Sequence, residues 1–215
     1  MSAAIANVVS ISTARQRVIR HRGTRDYFTA EQLKKFMHAA KQYGPREHAA
    51  FLCAFAHGCR VSEIANLRVS DLNFEQKTIH VARLKGSMQS TQAFLKLDNG
   101  LFDEESAFRA WLQIRKAGAP DDFVFNSRKS GQIHRVTLFL LFKEICERAG
   151  INDKRLWHPH TMKHTTAMLM FQRNVNAIGI RQYLGHQSFQ STLEYTKPSD
   201  REASELAAAA FAGVL

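Results

Sequence analysis

The sequence predicts a mainly α-helical fold with one small antiparallel β-sheet, an α+β protein. Most of the chain repeats its apolar residues every three or four positions, as helices do, whereas residues 77–97 alternate apolar and polar side chains as strands do. Of the 215 residues, 45% are hydrophobic and 15 are phenylalanine, which is enough for a well-filled core. No internal repeat is present. The chain is therefore expected to form one large domain, or a compact domain with a tail.

The folded region is expected to begin near residue 27 with a helix. Thr29 and Gln32 have the spacing of an N-terminal capping box, and an apolar stripe follows them. Gly44 interrupts this helix, and Pro45 suits the first turn of a second helix, which runs through Phe55. The sequence thus predicts two helices joined by a very short connection.

A short third helix is predicted from Ser62 to Leu67, with Ser62 as its N-cap, after a break at Gly58. The next segment is a hairpin, because KTIHVARL and TQAFLKL have strand character and the polar KGSMQS between them is typical of a turn. The remaining helices are predicted at residues 103–118, 134–149, 160–173, 175–183 and 189–195, followed by the Ala-rich, helix-favouring segment ASELAAAAFAGVL.

The charge of the chain points to its class of partner. A formal net charge of +11 favours a polyanion, most often nucleic acid, although a soluble basic protein without such a partner is the alternative. The basic residues do not line an amphipathic helix, and no apolar run approaches the roughly 20 residues needed to span a bilayer. A membrane partner is therefore not expected. The first 20 residues carry their charges after the apolar part, the reverse of a secretory signal, and the three cysteines form no CxxC pair, which suits the cytoplasm.

The N-terminal segment, residues 1–26, is expected to be a flexible basic arm. It has little apolar periodicity, so it is either a solvated linker or an arm that lies on phosphates. The arginines that would make those contacts are Arg15, Arg17, Arg20, Arg22 and Arg25.

Four motifs place polar residues at the edges of the predicted elements. They are HGCRVSEIANLRVSDLN with Arg60, LKGS with Lys85, PHTMKH with His160 and Lys163, and YLGHQSFQSTLEYT with His186 and Tyr195. In this order and spacing they resemble the conserved boxes of tyrosine recombinases, the phage integrase family, over about residues 27–200. One such motif alone would be weak, whereas four in order are specific. The resemblance implies the tyrosine recombinase catalytic-domain fold for residues 27–215.

The resemblance also implies roles in cutting and rejoining DNA. Tyr195 would attack a phosphodiester to form a 3′-phosphotyrosine, and His160 would assist it, because an unperturbed tyrosine has a pKa of about 10. Arg60 and His186 would bind the non-bridging oxygens of the phosphate. Lys85 would protonate the leaving 5′-oxygen. Each residue taken alone is more often an ordinary surface or capping residue, and only their joint occurrence favours these roles.

Lys163 departs from the family pattern, which has a second phosphate-binding arginine at this position. Lysine keeps the positive charge but loses the two-pronged geometry of a guanidinium. The loss of one good transition-state donor is worth on the order of 3 kcal/mol, about a hundredfold in rate. The substitution therefore predicts slower catalysis. It also leaves open a DNA-binding regulator of the same fold with little or no catalysis.

The stretch HPHTMKHT raises the question of a metal site. His160 and His164 have the spacing of a zinc-binding helix, but the glutamate of an HExxH motif and a third ligand are missing, so no metal is predicted. No cofactor is expected either, because a phosphotyrosine conserves the bond energy for rejoining. His160 and Lys163 share a helix face and could point at one phosphate. His164 is expected to pack inward and bond to the backbone, and His158 to lie in the loop before the helix.

Complete strand exchange implies an assembly on double-stranded DNA. Four strand cuts with one tyrosine per subunit predict a homotetramer on paired sites, and accessory DNA-bending proteins are further candidate partners. Residues 196–215 are expected to dock on a neighbouring subunit, with packing on their own domain as the alternative. Integration, excision and inversion of DNA all remain open, and the resemblance to short fimbrial-switch invertases suggests inversion. A type IB topoisomerase is another alternative. The expected location is the cytoplasm, at the nucleoid.

Overall fold

The structure is a computed structural model that describes residues 26–83, 88–97, 100–116, 119–127 and 131–186, together with positions 192 and 204. The predicted arm, the helix predicted at 189–195 apart from Thr192, and the C-terminal segment apart from Ser204 lie outside the described residues, as do Lys85 and Tyr195. The helices are α1 (Ala30–Tyr43), α2 (Pro45–Ala56), α3 (Val61–Asn66), α4 (Glu104–Arg115), α5 (Arg135–Arg148), α6 (His160–Gln172) and α7 (Ala177–Leu184), and the strands are β1 (Leu72–Asn73), β2 (Thr78–Val81) and β3 (Ser90–Ala93).

The starts of the first two helices are confirmed. The Thr29 hydroxyl accepts a hydrogen bond from the backbone N–H of Gln32 at 3.1 Å, and the Gln32 side chain accepts one from the backbone N–H of Thr29 at 3.0 Å. This reciprocal pair satisfies two of the N–H groups that the first turn of a helix leaves open. Pro45 occupies the first turn of α2, where its missing N–H has no cost.

The third helix begins one residue earlier than predicted. Its N-cap is Arg60 instead of Ser62, because the carboxylate of Glu63 accepts a hydrogen bond from the backbone N–H of Arg60 at 2.8 Å. A glutamate at the third helical position can close the first turn in this way without a serine cap. The prediction of Ser62 as the N-cap was therefore wrong, and Ser62 lies within the first turn.

The predicted hairpin is confirmed as the antiparallel pair β2–β3, in which Ile79 lies opposite Gln92. A third strand, β1, pairs with the other edge of β2 through Leu72 and Asn73, so the described sheet has the order β1-β2-β3. The sequence did not predict β1, because two residues are too few to show an alternating pattern. The later helices agree with α4 to α7 to within about three residues at their ends.

Phenylalanine side chains fill the core between α1, α2 and α5. The ring of Phe36 lies 4.7 Å from that of Phe142 and 5.5 Å from that of Phe51, and Phe28 stacks on Phe142. All four rings are buried, so this cluster holds the three helices in one body. In the described ranges, no helix combines the length and the apolar character needed to cross a bilayer.

A second, smaller apolar cluster joins α6 to α7. It contains Met168, Ile180 and Leu184, and α6 also packs on α2. This arrangement brings the C-terminal end of α7 against the turn that follows α2. Two of the four family-like motifs, those of Arg60 and His186, meet at this contact.

Candidate active site

The turn between α2 and α3 approaches α6 and α7 closely because it contains Gly58. Gly58 has a φ of +57°, a conformation that favours glycine, and a Cβ atom there would overlap the side chain of Leu184. The same Cβ atom would lie 3.5 Å from Cγ of Lys163. The glycine of the HGCR motif therefore allows Arg60, Lys163 and the end of α7 to share one site.

Glu63 orients Arg60. The Arg60 guanidinium lies 2.9 Å from one carboxylate oxygen of Glu63, whose other oxygen accepts the bond from the Arg60 backbone. Burial of the Glu63 carboxyl raises its pKa, but the hydrogen bonds from Arg60 and the positive charges of Arg83 and Arg60 prevail, so the net pKa is lowered and Glu63 is an anion. The Arg60 side chain keeps a third of its surface exposed. Arg60 is thus fixed by a carboxylate and still accessible to an anionic ligand.

His160 and Lys163 lie on the first turn of α6 but differ in exposure. His160 is exposed at the start of the helix, whereas Lys163 is only 1% exposed. The Lys163 ammonium donates a hydrogen bond to the backbone carbonyl of Leu184 at 2.7 Å. Lys163 therefore ties α6 to the last turn of α7 in this arrangement.

The surroundings of Lys163 weaken its hold on a proton. Burial is the main cause, and the nearby guanidinium groups of Arg83 and Arg60 add to it, while Glu63 and Cys59 act in the opposite direction. The pKa of Lys163 falls to about 7. A lysine at this position is charged only part of the time near neutral pH, whereas an arginine would remain charged.

His186 follows a second close approach, at Gly185. This glycine has a φ of +63°, and a Cβ atom on it would lie 2.9 Å from the carbonyl oxygen of Met88 and 3.0 Å from Nε of Arg83. The His186 ring is buried and its Nδ1 lies 2.9 Å from the hydroxyl oxygen of Thr192. Because Gly185 has no side chain, Arg83 and Met88, which lie on either side of the β2–β3 turn, can approach the backbone just before His186.

Both site histidines are neutral at pH 7. Burial, followed by the charges of Lys163 and Arg60, lowers the pKa of His186 to about 3. Partial desolvation of the His160 ring, followed by His164 and Lys163, lowers its pKa to about 4. A neutral imidazole has one nitrogen that donates and one that accepts a hydrogen bond, so each ring can do both.

His164 makes a side-chain contact beyond those predicted for it. Its Nδ1 lies 3.3 Å from the carboxylate of Asp26, at the start of the described chain, and its ring meets that of His160 edge-on with centroids 4.6 Å apart. This contact with a side chain from a distant part of the sequence was not predicted, and the expected bond to the backbone stays a prediction. His158 lies in the loop before α6, as predicted.

The described parts of the site converge. The positive charges of Lys163 and Arg60 lower the pKa of His186, so both groups lie close to its ring. Lys85 and Tyr195 are outside the described residues. The described residues nearest to Lys85 in the sequence are Arg83 and Met88, and both lie next to Gly185.

Sequence reasoning missed two charged residues beneath this site, Glu63 and Arg83. The Arg83 side chain is fully buried and forms an ion pair with Glu63 at 3.3 Å. A signal was present in the sequence, since Ile79, Val81 and Arg83 occupy alternate positions of the strand-like run and so share its inward face. For Glu63, the signal was its position three residues after Arg60 at a helix start.

A buried ion pair supports the turn before Arg60. The Nε2 atom of His57 lies 2.9 Å from the Glu104 carboxylate, and Nδ1 lies 2.7 Å from the amide oxygen of Gln92. Both partners accept hydrogen bonds, so both ring nitrogens donate. Burial lowers the pKa of His57, but the charge and hydrogen bond of Glu104 prevail and raise it to about 9. Cys53, His57 and Glu104 have their ligand-type atoms within 4.8 Å of one another, yet either ring nitrogen that could bind a metal is already engaged with Gln92 or Glu104.

Comparison with known proteins agrees with the fold and the motifs. Residues 26–202 match the Phage integrase family. The chain is 29% identical to the type 1 fimbriae regulatory protein FimB of Escherichia coli (strain K12), over 80% of this chain and 84% of that protein. It is also 29% identical to tyrosine recombinase XerA of Pyrococcus furiosus, over 82% of this chain and 59% of that protein.

Solved structures share the fold. The crystal structure of XerA recombinase superposes with a TM-score of 0.70 at 24% identity, covering 88% of this chain and 65% of that one. XerH site-specific recombinase bound to difH substrate superposes with a TM-score of 0.71 at 22% identity, covering 85% of this chain and 54% of that one. With four motifs in order, this fold and a family match over most of its length, the chain belongs to the phage integrase family of tyrosine recombinases.

Proposed function

We propose that this chain is a site-specific DNA recombinase that cuts and rejoins strands through a 3′-phosphotyrosine. The observation that carries the proposal is the meeting of Arg60, Lys163 and His186 at one contact between the α2–α3 turn and α7. Their cationic and hydrogen-bonding groups suit the oxygens of one phosphate, and Arg60 keeps a third of its side chain exposed for such a ligand.

Cleavage is a transesterification. The hydroxyl oxygen of Tyr195 attacks phosphorus, the bond from phosphorus to the 5′-oxygen breaks, and the cut strand is held as a 3′-phosphotyrosine. We propose that His160 takes the proton of the tyrosine as the bond to phosphorus forms and makes that proton acidic, because an imidazole with a pKa of about 4 is a weak base. Lys85 gives a proton to the leaving 5′-oxygen. Rejoining is the reverse reaction with a new 5′-hydroxyl, so it needs no external energy source.

Arg60 and His186 stabilise the charge that grows on the non-bridging oxygens. The Arg60 guanidinium suits this role because Glu63 holds one of its edges while its side chain stays partly exposed. A neutral His186 supplies one hydrogen bond without a second full charge. Lys163 adds a cation only when protonated and released from the carbonyl of Leu184.

Double-stranded DNA is the proposed substrate, and the net charge of +11 supports it. The arginines of residues 1–26 are proposed to add phosphate contacts outside the domain of residues 27–215. Four copies on paired sites are proposed for complete exchange, with residues 196–215 as the contact between neighbours. Among the reaction outcomes we propose inversion, because the motifs resemble those of fimbrial-switch invertases and the chain matches a type 1 fimbriae regulatory protein, FimB, over 84% of that protein.

A DNA-binding regulator with little catalysis is the second candidate. The observation that favours it is the buried position of Lys163, whose ammonium is bonded to Leu184 and not exposed to a ligand. The two functions differ in one product, the covalent protein–DNA adduct, which only the recombinase forms.

The test is adduct formation on nicked duplexes. Duplexes are taken from repeats that flank the gene, or are selected from a random-sequence pool for covalent capture, and the adduct is detected on a denaturing gel. The chain is expected to form an adduct, and Tyr195→Phe is expected to form none while it binds the same DNA, because it lacks only the hydroxyl. DNA binding without any adduct would support the regulator. An adduct that persists in Tyr195→Phe would assign the nucleophile to another residue.

A further inference from the structure

Cys53 and Cys59 are brought together by the way in which α2 ends. The backbone N–H of Cys59 donates to the carbonyl of Ala54 at 3.1 Å, and that of Gly58 donates to the carbonyl of Phe55 at 3.3 Å. These two bonds around a glycine of positive φ form a Schellman motif. In this motif the residue after the glycine contacts the last turns of the helix, which here places Cys59 against Cys53, six positions earlier.

The two thiols are hydrogen-bond partners inside the protein. The Cys53 thiol donates to the sulfur of Cys59, and the two residues are only 1% and 4% exposed. The third cysteine, Cys146, is buried as well, and burial alone raises the pKa of its thiol. The cysteines of the chain are therefore a contacting pair and a separate thiol that serves as an internal comparison.

Two cations lie beside the pair. Nη1 of Arg83 is 3.8 Å from the sulfur of Cys59, and a ring nitrogen of His57 lies within 4.8 Å of the sulfur of Cys53. The hydrogen bond from Cys53 is the main cause that lowers the pKa of Cys59, and the charges of Arg83 and His57 add to it. Together they outweigh burial and the Glu63 carboxylate, which act in the opposite direction. Cys59 is therefore the more nucleophilic thiol of the pair.

Backbone carbonyls hold Arg83 in this position. Its Nη2 donates to the carbonyl of His57 at 2.7 Å and to that of Tyr183 at 3.0 Å, and its Nη1 donates to that of Gly58 at 3.3 Å. These bonds make a junction at Arg83 between the end of β2, the α2–α3 turn and the end of α7. The guanidinium therefore stays beside the sulfur of Cys59 in the folded protein.

A small cavity lies next to the pair. Its volume is about 20 Å³, enough for about one or two atoms of the size of a water oxygen. Both cysteines line it, and its lining also includes Asn66 and Ala82, which are exposed. The cavity thus extends from the cysteines towards the surface between α3 and the end of β2. Hydrogen peroxide, with two oxygen atoms, matches this size, whereas a peptide disulfide does not.

We propose that Cys53 and Cys59 are a site of oxidation, at which hydrogen peroxide converts the two thiols into one disulfide. The Cys59 thiolate attacks one peroxide oxygen, the O–O bond breaks, and the other oxygen takes a proton and leaves as water, so Cys59 becomes a sulfenic acid. The sulfur of Cys53 then attacks that of Cys59. The S–S bond forms, the S–O bond breaks, and the hydroxyl leaves as water with the proton of Cys53. The two sulfurs together lose two electrons, which the peroxide gains. This inference concerns the thiols and does not depend on the proposed recombinase function.

The test treats the folded, full-length protein with hydrogen peroxide or, separately, with glutathione disulfide, which is too large for the cavity. Remaining thiols are alkylated in denaturant and located by mass spectrometry of the peptides. Hydrogen peroxide is expected to form a Cys53–Cys59 disulfide, reversible by dithiothreitol, at least about tenfold faster than it modifies Cys146. Glutathione disulfide is expected to leave the pair reduced over the same time.

Two variants separate the roles of the thiols. In Cys53→Ser the second thiol is missing, so Cys59 should accumulate as a sulfenic acid, which dimedone marks after denaturation. Cys59→Ser should leave Cys53 reduced, because burial above all raises the pKa of Cys53 and makes it the poorer nucleophile. Cys146→Ser is the matched control and should form the disulfide at the rate of the unaltered protein. If thermal unfolding shows that Cys53→Ser or Cys59→Ser does not fold, the unaltered protein and Cys146→Ser decide.

Three results would overturn the inference. Reaction of all three cysteines at one rate, or equal reaction with both oxidants, would mean that oxidation occurs only through unfolding. Thiols that stay reduced in the folded protein, under peroxide that oxidises them in urea, would be purely structural. A sulfenic acid that persists at Cys59 in the unaltered protein would exclude the step assigned to Cys53.

Discussion

At the residue scale, the site depends on how burial changes the charge of individual side chains. Lys163 is the clearest example, because its pKa of about 7 comes mainly from burial, with help from Arg83 and Arg60. The same position in the family pattern is an arginine, which would stay charged. The difference between the two residues is therefore one of protonation as well as of geometry.

Substitution of Lys163 separates these two effects. Lys163→Met keeps the length of the side chain and removes the charge, so cleavage is expected to fall about a hundredfold. Lys163→Arg is expected to match or exceed the unaltered protein. In a pH–rate profile measured by adduct formation, activity that depends on protonated Lys163 should decline as the pH rises through about 7, and this decline should be absent in Lys163→Arg. A Lys163→Met protein that cuts at the normal rate would remove this residue from the site.

At the element scale, two glycines set the distances between the parts of the site. The absence of a side chain at Gly58 lets Leu184 pack against the α2–α3 turn. The absence of one at Gly185 lets Arg83 and Met88 pack against the end of α7. Both have positive φ values, which glycine adopts without the penalty of other residues. The glycines of the two motifs are therefore required by the approach of neighbouring elements as much as by local turn geometry.

Gly185→Ala tests this close approach. The variant is expected to lose folding stability, by about 1–2 kcal/mol for the backbone penalty of a residue other than glycine and by a further amount for displacing Met88 and Arg83. Gly150→Ala is the matched control, because Gly150 has a φ of +65° and a Cβ there would have no neighbour within 4 Å. Urea unfolding should show a larger loss of stability for Gly185→Ala. Equal losses would mean that the contacts around Gly185 adjust freely.

At the scale of the whole molecule, the buried ionisable groups make folding depend on pH. The folded pKa of His186 is about 3, against an ordinary value of 6.5, since burial and nearby cations oppose its protonation. Between these values the unfolded chain binds a proton that the folded chain does not. Folding stability therefore falls as the pH falls from about 6.5 towards 3, and it is unaffected by this group above 6.5.

Removal of the histidine should flatten this dependence. His186→Gln is expected to unfold in urea with a smaller loss of stability between pH 6.5 and pH 4 than the unaltered protein shows. His38→Gln, at an exposed position of α1, is the control and should keep the full dependence. The same acid sensitivity in His186→Gln and the unaltered protein would mean that other groups account for it.

Much of the fold and the motif residues could be predicted from the sequence by itself. The capping box at Thr29, the turn proline at Pro45 and the alternation in β2 act through neighbouring residues, so local sequence is sufficient to identify them. The chemical groups proposed for the site also follow from the sequence, because the four motifs contain the polar residues directly. Strand β1 was not predicted, because a two-residue strand shows no sequence pattern and is recognised only by its pairing with β2.

Only the tertiary structure decided what surrounds each of these groups. The burial of Lys163 against Leu184, the partnership of His164 with Asp26 and the junction at Arg83 all join residues far apart in sequence. Their physical cause is tertiary packing, which brings the chain before α1, the end of β2 and the end of α7 against α6 or the α2–α3 turn and so determines desolvation and the nearest charges. Residue type and spacing do not carry this information, because a pKa or a hydrogen-bond partner depends on which elements pack together in the folded chain.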